Sequence, residues 1–555
     1  MSTFGWERER AGRGRLVLAA LVATIAILGA ACGSKSPSGG DAAAAQGNDA
    51  AVSDTPVDGG SLVVGVGAET AGWNPAASQW ADAGNLVGSS VLEPLAEVGP
   101  DKGPKPWLAE SWIANDQFDS WLIKLRPDVQ FQDGEPFDAA AVKQNIDTYV
   151  SSPLAGFALQ PLVAGTEVVD PLTVKVNLKQ PWGAFPSTFM AGAFYMMAPA
   201  MLASSDQGQA HPIGTGPFTF DSWESGTSFK AKKNPHYWQA GLPHLDSIDF
   251  KVIPDDTTRA SALASGDVNM IMTTSAAVAE AAPATDTIVK DWTTENVIIL
   301  ANTSPEAGGK PNPLGNIHAR RALAYATNRQ AIASIIGEGV DTPTSPWAPT
   351  NPWGMPDDQN GYVNFDVEQA KAEVAEYTKD TGEATLKFTV LGTPGEDDIK
   401  VMQLLQSQYK DAGIDMTIET LEQKAYISRA VVSDFQALFS RNYGYADPDT
   451  DYIFWAAESA KGAGNLSINF AQFTSPALQS ALTTGRQSGY LDVRKKAYQD
   501  VARELNAGLP DIWLYRTPYS IIADPQVKGF AKAKAVGFGN FQPKTWWGDL
   551  WRTSG

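Results

Sequence analysis

The sequence has 555 residues, and 62 Asp and Glu against 42 Lys and Arg give a formal net charge of −20 at pH 7. Nucleic-acid binding needs a basic surface, and flat adhesion to anionic lipid also needs positive charge, so composition argues against both. Solubility alone explains most of the acidity. The 17 Trp suit a core and also a site that holds a ligand by stacking.

The N-terminal sequence is typical of an export signal. A basic segment with Arg8, Arg10, Arg13 and Arg15 precedes the uncharged run 16–31. That run is shorter than the ~20 residues of a membrane-spanning helix, so residues 1–31 are predicted to be a signal peptide. Residues 28–32, LGAAC, resemble a bacterial lipoprotein box, with Gly29 where Leu is usual. The resemblance implies cleavage before Cys32 and lipid on its sulfur; the alternative is an ordinary secreted signal peptide.

Cys32 is the only cysteine, so the mature chain has no disulfide. Residues 32–59 are rich in Ser, Gly, Ala and Asp and cannot bury enough apolar surface to fold, which predicts a flexible tether. The roughly 495 residues that follow are too many for one simple core and suggest two or three domains.

Strands and helices alternate along the rest of the chain. Apolar residues at every second position predict strands around residues 62–66, 121–125, 172–178 and 248–252. Asp138, Asn316 and Asp366 are placed to cap helices, the second running to Gly337 with Ile335 facing inward. Residues 386–418 read as β-α-β with a helix that ends at Gly413, which requires a parallel sheet. An α/β protein with more than one lobe is predicted.

Motifs for catalysis are absent from the sequence. No G-x-S-x-G turn or P-loop occurs, and the four His lack zinc-site spacing. Asp447, Asp449 and Asp451, with Glu458, match a calcium loop in spacing, but Tyr452 stands where that loop needs Gly. An exposed turn around Pro448 and a ligand-binding segment are the other interpretations.

Several sequence motifs resemble those of one protein family, and they occur in the same order as in that family. They are VLEPLAEV at 91–98, PWLAESW at 106–112, GTGPF at 214–218, KNPHYW at 233–238, ALASGDVN at 262–269, HARRALAYATNRQAI at 318–332 and VRKKAYQDVARELNAGLPDIWLY at 493–515. Together they resemble the family-5 extracytoplasmic solute-binding proteins, which serve ABC importers of dipeptides, oligopeptides and nickel. The resemblance covers roughly residues 60 to 545.

The resemblance implies an α/β, two-lobe fold of the type II periplasmic-binding-protein kind, with an extra subdomain in lobe one. Lobe one is expected to comprise 60–300, with 96–204 as the extra subdomain, and the C-terminal return 515–555. Lobe two is expected to be 301–514. The implied protein is a non-enzymatic, cofactor-free monomer on the outer face of the cytoplasmic membrane, which passes its solute to permease subunits.

The resemblance also implies a ligand site. Peptide-binding members carry an Arg and, six residues later, an Asp that meets the ligand's α-ammonium; here these are Arg441 and Asp447. Tyr443 and Tyr445 flank Gly444, where Trp is common, and are expected to line the pocket. Trp73, which follows the first strand, is expected at the cleft; core packing is the alternative for all three aromatic side chains.

A short peptide is the expected solute. An oligosaccharide or a nickel chelate is the alternative within the family. A lipoprotein enzyme, a calcium-binding protein or a receptor that signals solute to a membrane partner are functions of other classes.

Overall fold

The computed structural model describes residues 55–78, 80–292, 294–306, 309–442, 444–539 and 542–553. Its strands are, in chain order, β1 Ser61–Val66, β2 Ala96–Val98, β3 Pro104–Pro106, β4 Ala109–Ala114, β5 Ser120–Leu125, β6 Val163–Asp170, β7 Thr173–Leu178, β8 Phe218–Glu224, β9 Ser228–Lys233, β10 Ser247–Val252, β11 Met270–Thr273, β12 Thr287–Asp291, β13 Asn296–Ala301, β14 Leu386–Gly392, β15 Ile414–Thr420, β16 Ala437–Asn442, β17 Asp511–Arg516, β18 Tyr519–Ala523, β19 Val527–Lys528 and β20 Trp551–Arg552.

The α-helices in the same ranges are α1 Asp82–Gly88, α2 Ala139–Ser151, α3 Gly156–Leu159, α4 Pro199–Ala203, α5 Asp256–Ser265, α6 Ala276–Ala281, α7 Ile317–Ala326, α8 Arg329–Ile336, α9 Val367–Thr381, α10 Glu396–Asp411, α11 Gln423–Ala430, α12 Tyr452–Trp455, α13 Pro476–Gln487, α14 Leu491–Gly508 and α15 Ala531–Val536. No helix in the described ranges is both long and apolar enough to cross a membrane.

Two large sheets organise the molecule. The first has seven strands in the order β12-β18-β11-β1-β10-β9-β8, and the second has five in the order β15-β14-β16-β13-β17. In the first, β1 is parallel to β10 and β11; in the second, β14 is parallel to β15 and β16. The chain passes from one sheet to the other between β12 and β13 and returns between β17 and β18.

A third layer is inserted between β1 and β8. It contains the antiparallel sheet β4-β5-β7-β6, and α2 packs against β6 and β7. Buried residues of this layer and of one face of the seven-stranded sheet form one continuous apolar core. A second core lies mainly around the five-stranded sheet.

Glu93 joins the inserted layer to the seven-stranded sheet. Its buried carboxylate accepts hydrogen bonds from the indole N–H groups of Trp107 and Trp238 at 3.0 and 2.9 Å. The hydroxyls of Tyr237 and Thr215 donate at 2.7 and 2.8 Å. Burial raises the pKa of Glu93 to about 7, and the four donors oppose the rise.

Most predicted elements are confirmed, and the local causes are visible. Asp138 and Asp366 accept hydrogen bonds from the first-turn amides of α2 and α9. Residues 386–420 form the parallel β-α-β unit, and Gly413 adopts φ +83° between α10 and β15.

The single helix predicted from Asn316 to Gly337 is wrong. Asn316 caps α7 as expected, but that helix ends at Ala326 and α8 begins at Arg329. The side chain of Asn328 accepts a hydrogen bond from the Ala331 amide and so starts a new helix. Ile335, predicted to face inward, is 45% exposed.

Candidate functional site

A groove of about 970 Å³ lies between the two large sheets. Residues 254–257 and 274–275, just after β10 and β11, line one side, while Thr393, just after β14, and Arg441, near the end of β16, line the other. In open α/β sheets, ligands bind in the crevice outside the carboxyl ends of the strands. The groove meets that rule for both sheets at once and is the candidate site; Arg441 lines it, whereas Asp447 is not among its lining residues.

Arg441 is held where the chain crosses between the sheets. Its guanidinium lies 3.9 Å from the carboxylate of Glu295, and its side chain is 42% exposed. Glu295, at the first crossing, accepts hydrogen bonds from the hydroxyls of Thr517 and Tyr519, at the second crossing, at 2.7 and 3.0 Å. Burial raises the pKa of Glu295 to about 7; Arg441 lowers it and Asp82 raises it further.

Asp447 is buried, and among the described residues only one of its two oxygens has a partner. Oδ1 lies 2.5 Å from Nη2 of Arg494 and accepts the backbone N–H of Asp449 at 3.0 Å. Oδ2 makes no hydrogen bond with the described protein. Arg494 and the turn therefore fix the orientation of the carboxylate and leave one oxygen for a further donor.

Asp449 sits two residues later, on the 3₁₀ turn Pro448–Asp451. Its Oδ1 lies 2.7 Å from Nε of Arg486. Its Oδ2 accepts the indole N–H of Trp182 at 2.7 Å and the hydroxyl of Thr188 at 3.2 Å. Trp182 and Thr188 follow β7 in the inserted layer, so this carboxylate joins two parts of the molecule.

Asp451 completes the turn and behaves differently from the other two carboxyls. It is buried and has no arginine partner in the described structure; burial, with the charge of Asp447 adding to it, raises its pKa well above the ordinary range. Burial therefore favours the protonated form of Asp451 more than it would for an exposed carboxyl.

Two of the carboxylates that a calcium loop would use as ligands are paired with arginine side chains. Arg494 and Arg486 pair with Asp447 and Asp449. Within the described ranges, no three His, Cys, Asp or Glu side chains converge as metal ligands.

Position 444 has room only for a glycine, because another part of the backbone passes close to it. A Cβ at Gly444 would lie 1.7 Å from the carbonyl oxygen of Thr294, at the first crossing. The space for the Trp that is common in the family is therefore filled by backbone.

The remaining predicted residues are Tyr443, Tyr445 and Trp73 for binding and Cys32 for lipid attachment. Tyr445 is half-buried, and Tyr443 and Cys32 lie outside the described residues. Trp73 is 2% exposed, with ring centroids 4.4 Å from Phe229 and 6.0 Å from Trp80. That packing is typical of a core side chain, and its place at the cleft stays a prediction.

Sequence reasoning missed the two arginines that hold the turn. Arg486 follows Leu478 and Leu482 at helical spacing, and Arg494 precedes Tyr498 and Val501 on the buried face of α14. An arginine within an apolar helical stripe needs a buried counter-charge, and this signal was available in the sequence.

The fold defines the class of protein. The structure resembles the oligopeptide-binding protein AppA from Bacillus subtilis, solved with a nonapeptide (TM-score 0.74, 21% identity, 90% of this chain and 100% of that one). It also resembles the periplasmic binding protein DppA from Helicobacter pylori, solved with the peptide STSA (TM-score 0.72, 22% identity, 88% and 99%). The chain thus has the two-lobe, type II periplasmic-binding-protein fold with an extra subdomain in lobe one.

The family follows from the sequence match. Residues 103–465 match the model of the bacterial extracellular solute-binding proteins, family 5, and the chain belongs to that family. The glutathione-binding protein GsiB of Salmonella paratyphi A is 33% identical over 345 residues, which are 60% of this chain and 65% of that protein. GsiB of Escherichia coli O157:H7 is 32% identical over the same share. The chain thus spans about two thirds, 65%, of the length of these relatives.

Proposed function

We propose that this solute-binding protein captures a short peptide between its lobes, without chemical change, and delivers it to the permease of an ABC importer. The single observation that carries the proposal is the geometry of Asp447, whose Oδ1 is held by Arg494 while Oδ2 has no hydrogen-bond partner among the described residues. An ammonium group is the donor that best matches a buried carboxylate oxygen, because it brings both a hydrogen bond and the opposite charge.

Arg441 is the proposed partner of the peptide's other end. It lies in the groove, six residues before Asp447, and six residues of chain span at most about 20 Å. Backbone hydrogen bonds along an extended peptide would add affinity with little demand on its sequence.

We assign the lobes as 60–300 with 515–555, and 301–514. The chain crosses between the sheets after Asp291 and before Asn296, and crosses back between Arg516 and Tyr519, so these boundaries lie a few residues from the crossings, within β13 and β17. A solute that contacts both lobes binds the closed arrangement better than the open one and shifts the population toward it.

Attachment to the membrane is part of the proposal. Residues 1–31 direct export, lipid on the sulfur of Cys32 anchors the chain to the outer face of the cytoplasmic membrane, and 32–59 act as a tether. Globomycin, an inhibitor of lipoprotein signal peptidase, should leave the precursor uncleaved if this is correct; unchanged processing would contradict lipidation.

Native mass spectrometry of the purified protein tests the choice of solute. We expect an added mass that leaves on denaturation and fragments as a peptide with a free amino terminus. A hexose ladder or a nickel complex in its place would overturn the peptide assignment and leave the family intact.

A further inference from the structure

We propose that Asp449 is a positioning residue that couples lobe closure to ligand capture at Asp447; the ligand part of this inference rests on the proposed function. Asp449 would do so through its contact with Trp182 and Thr188. Its two hydrogen bonds, at 2.7 and 3.2 Å, run from the inserted layer to the turn that carries Asp447.

Burial makes this contact strong. The Asp449 side chain is fully buried, Trp182 is 1% exposed and Thr188 is 7% exposed. A carboxylate that accepts hydrogen bonds away from water gains more from each than an exposed one. The Arg486 side chain, 2.7 Å away and on the same side of the contact as Asp449, balances the charge.

The surrounding surfaces fit closely. The backbone amide of Ala184 donates to the carbonyl of Arg486 at 3.2 Å, and a Cβ at Gly183 would lie 2.1 Å from the backbone of Ser488. The rings of Phe118 and Tyr490 meet edge to face at 5.7 Å. The chain on either side of Trp182 therefore docks against α13 and the start of α14 as one surface.

The link to Asp447 is short. The amide of Asp449 donates to Oδ1 of Asp447 at 3.0 Å, so the position of the turn sets the direction of the Asp447 carboxylate. When Trp182 and Thr188 hold Asp449, they fix the same turn that presents Oδ2 to a ligand ammonium. Closure and capture then favour each other, as linkage requires.

The test removes the two donors from the inserted layer and leaves Asp449 and Arg486 intact. Trp182→Phe keeps a ring and loses the indole N–H, and Thr188→Val keeps the shape and loses the hydroxyl. The matched control is Trp121→Phe, because the indole of Trp121 donates at 3.2 Å to the carbonyl of Trp182, inside the same layer.

Closure is measured without any ligand. Spin labels are placed at Ile113→Cys and Leu466→Cys, 66% and 61% exposed, in the mature chain with Cys32→Ser, because Cys32 is the one native cysteine. We expect the short label distance to be populated alike in the wild type and in Trp121→Phe, and to be less populated in Trp182→Phe/Thr188→Val. Equal distributions in all three proteins would overturn the coupling.

Calorimetry with tri-alanine as the probe tests the part of the proposal that concerns the ligand. The double variant should raise Kd roughly tenfold with its melting temperature within a few degrees of the control, since one or two hydrogen bonds to a charged group are lost. An unchanged Kd, measured where the wild type binds tri-alanine, would overturn the ligand part. A wild type that does not bind the probe counts against the proposed function, and the label distances still decide the role of Asp449.

Discussion

Glu93, between the inserted layer and the seven-stranded sheet, and the turn 447–451, which follows β16 of the five-stranded sheet, both bury carboxyl groups, but they satisfy them differently. Glu93 receives four donors, all from residues 107–238. In the turn, two carboxylates are each paired with an arginine, and one of them also takes donors from the inserted layer. Oδ2 of Asp447 has no partner in the part of the chain that the structure describes. A fully satisfied carboxylate holds the fold, whereas an oriented carboxylate with an oxygen to spare is suited to a ligand.

The largest effect on stability is expected from Glu93→Ala. It leaves four donors without an acceptor, and each of the two buried ones, on Trp107 and Thr215, costs about 1–3 kcal/mol. We expect the free energy of unfolding in urea to fall by at least about 3 kcal/mol.

Asp101→Ala is the matched control for Glu93→Ala. Asp101 is an exposed carboxylate whose ion pair with Lys105 spans 2.7 Å, and its loss should cost less than about 1 kcal/mol. Similar losses for both variants would remove the distinction between a satisfied buried carboxylate and a surface one.

Asp447→Asn is expected to act chiefly on binding. The affinity for a peptide with a free amino terminus should fall roughly 10- to 100-fold in calorimetry, because a hydrogen bond to a charged group is worth about 1.5–3 kcal/mol. The same change leaves Arg494 without its counter-charge and should also lower the melting temperature.

The double variant Asp447→Asn/Arg494→Gln separates the two effects. Removing both charges should recover much of the stability and none of the affinity. If affinity returns together with stability, Asp447 holds the turn and does not contact the ligand.

The pH dependence of stability should also report on the buried carboxyl of Glu93. The pKa of Glu93 is raised from its ordinary 4.5 to about 7, so the folded protein holds this proton more tightly than the unfolded chain. Its stabilising contribution is full below pH 4.5 and is lost as pH rises through about 7.

The variant Glu93→Gln should lose this pH-dependent part of the stability. The wild type is expected to lose on the order of 1–3 kcal/mol more than the variant between pH 4.5 and 7.5. Glu295 and Asp511, whose pKa values burial also raises to about 7, contribute to both proteins equally. Parallel curves in urea titrations would show that Glu93 does not titrate in this range.

The smallest effect is expected from Trp73→Phe. The Trp73 ring packs on Phe229, Trp80 and Trp223, and its indole N–H has no partner in the described structure. We expect peptide affinity within about twofold of the wild type, as for a buried ring that keeps its packing. A loss of tenfold or more with unchanged stability would place Trp73 at the cleft, as the sequence predicts.

The sequence predicts well where one short segment determines the structure. Alternation over 61–66 and capping by Asp138 or Asp366 are local, and the β-α-β unit at 386–418 needs only two short connections. The break between α7 and α8 was missed because Asn328 competes with the helix for the backbone, a choice that apolar periodicity does not show.

The site could be predicted only in part, because its partners are distant in the chain. Arg441 and Asp447 were predicted from the family motif, and their contact with a ligand stays a prediction. Asp447 pairs with Arg494, 47 residues away, and Asp449 with Trp182, 267 residues away. Glu295 and Tyr519 are 224 residues apart. Pairs at such separation depend on how the layers pack, which local patterns do not encode.

Calorimetric titration of the wild type with tri-alanine and with N-acetyl-tri-alanine tests the central claim most directly. The two peptides share their backbone and carboxylate and differ in the α-ammonium that Asp447 is proposed to receive. We predict that tri-alanine binds and that acetylation weakens binding at least about 10-fold. Equal affinity for both peptides, or binding of neither, would contradict capture of a peptide ammonium by Asp447.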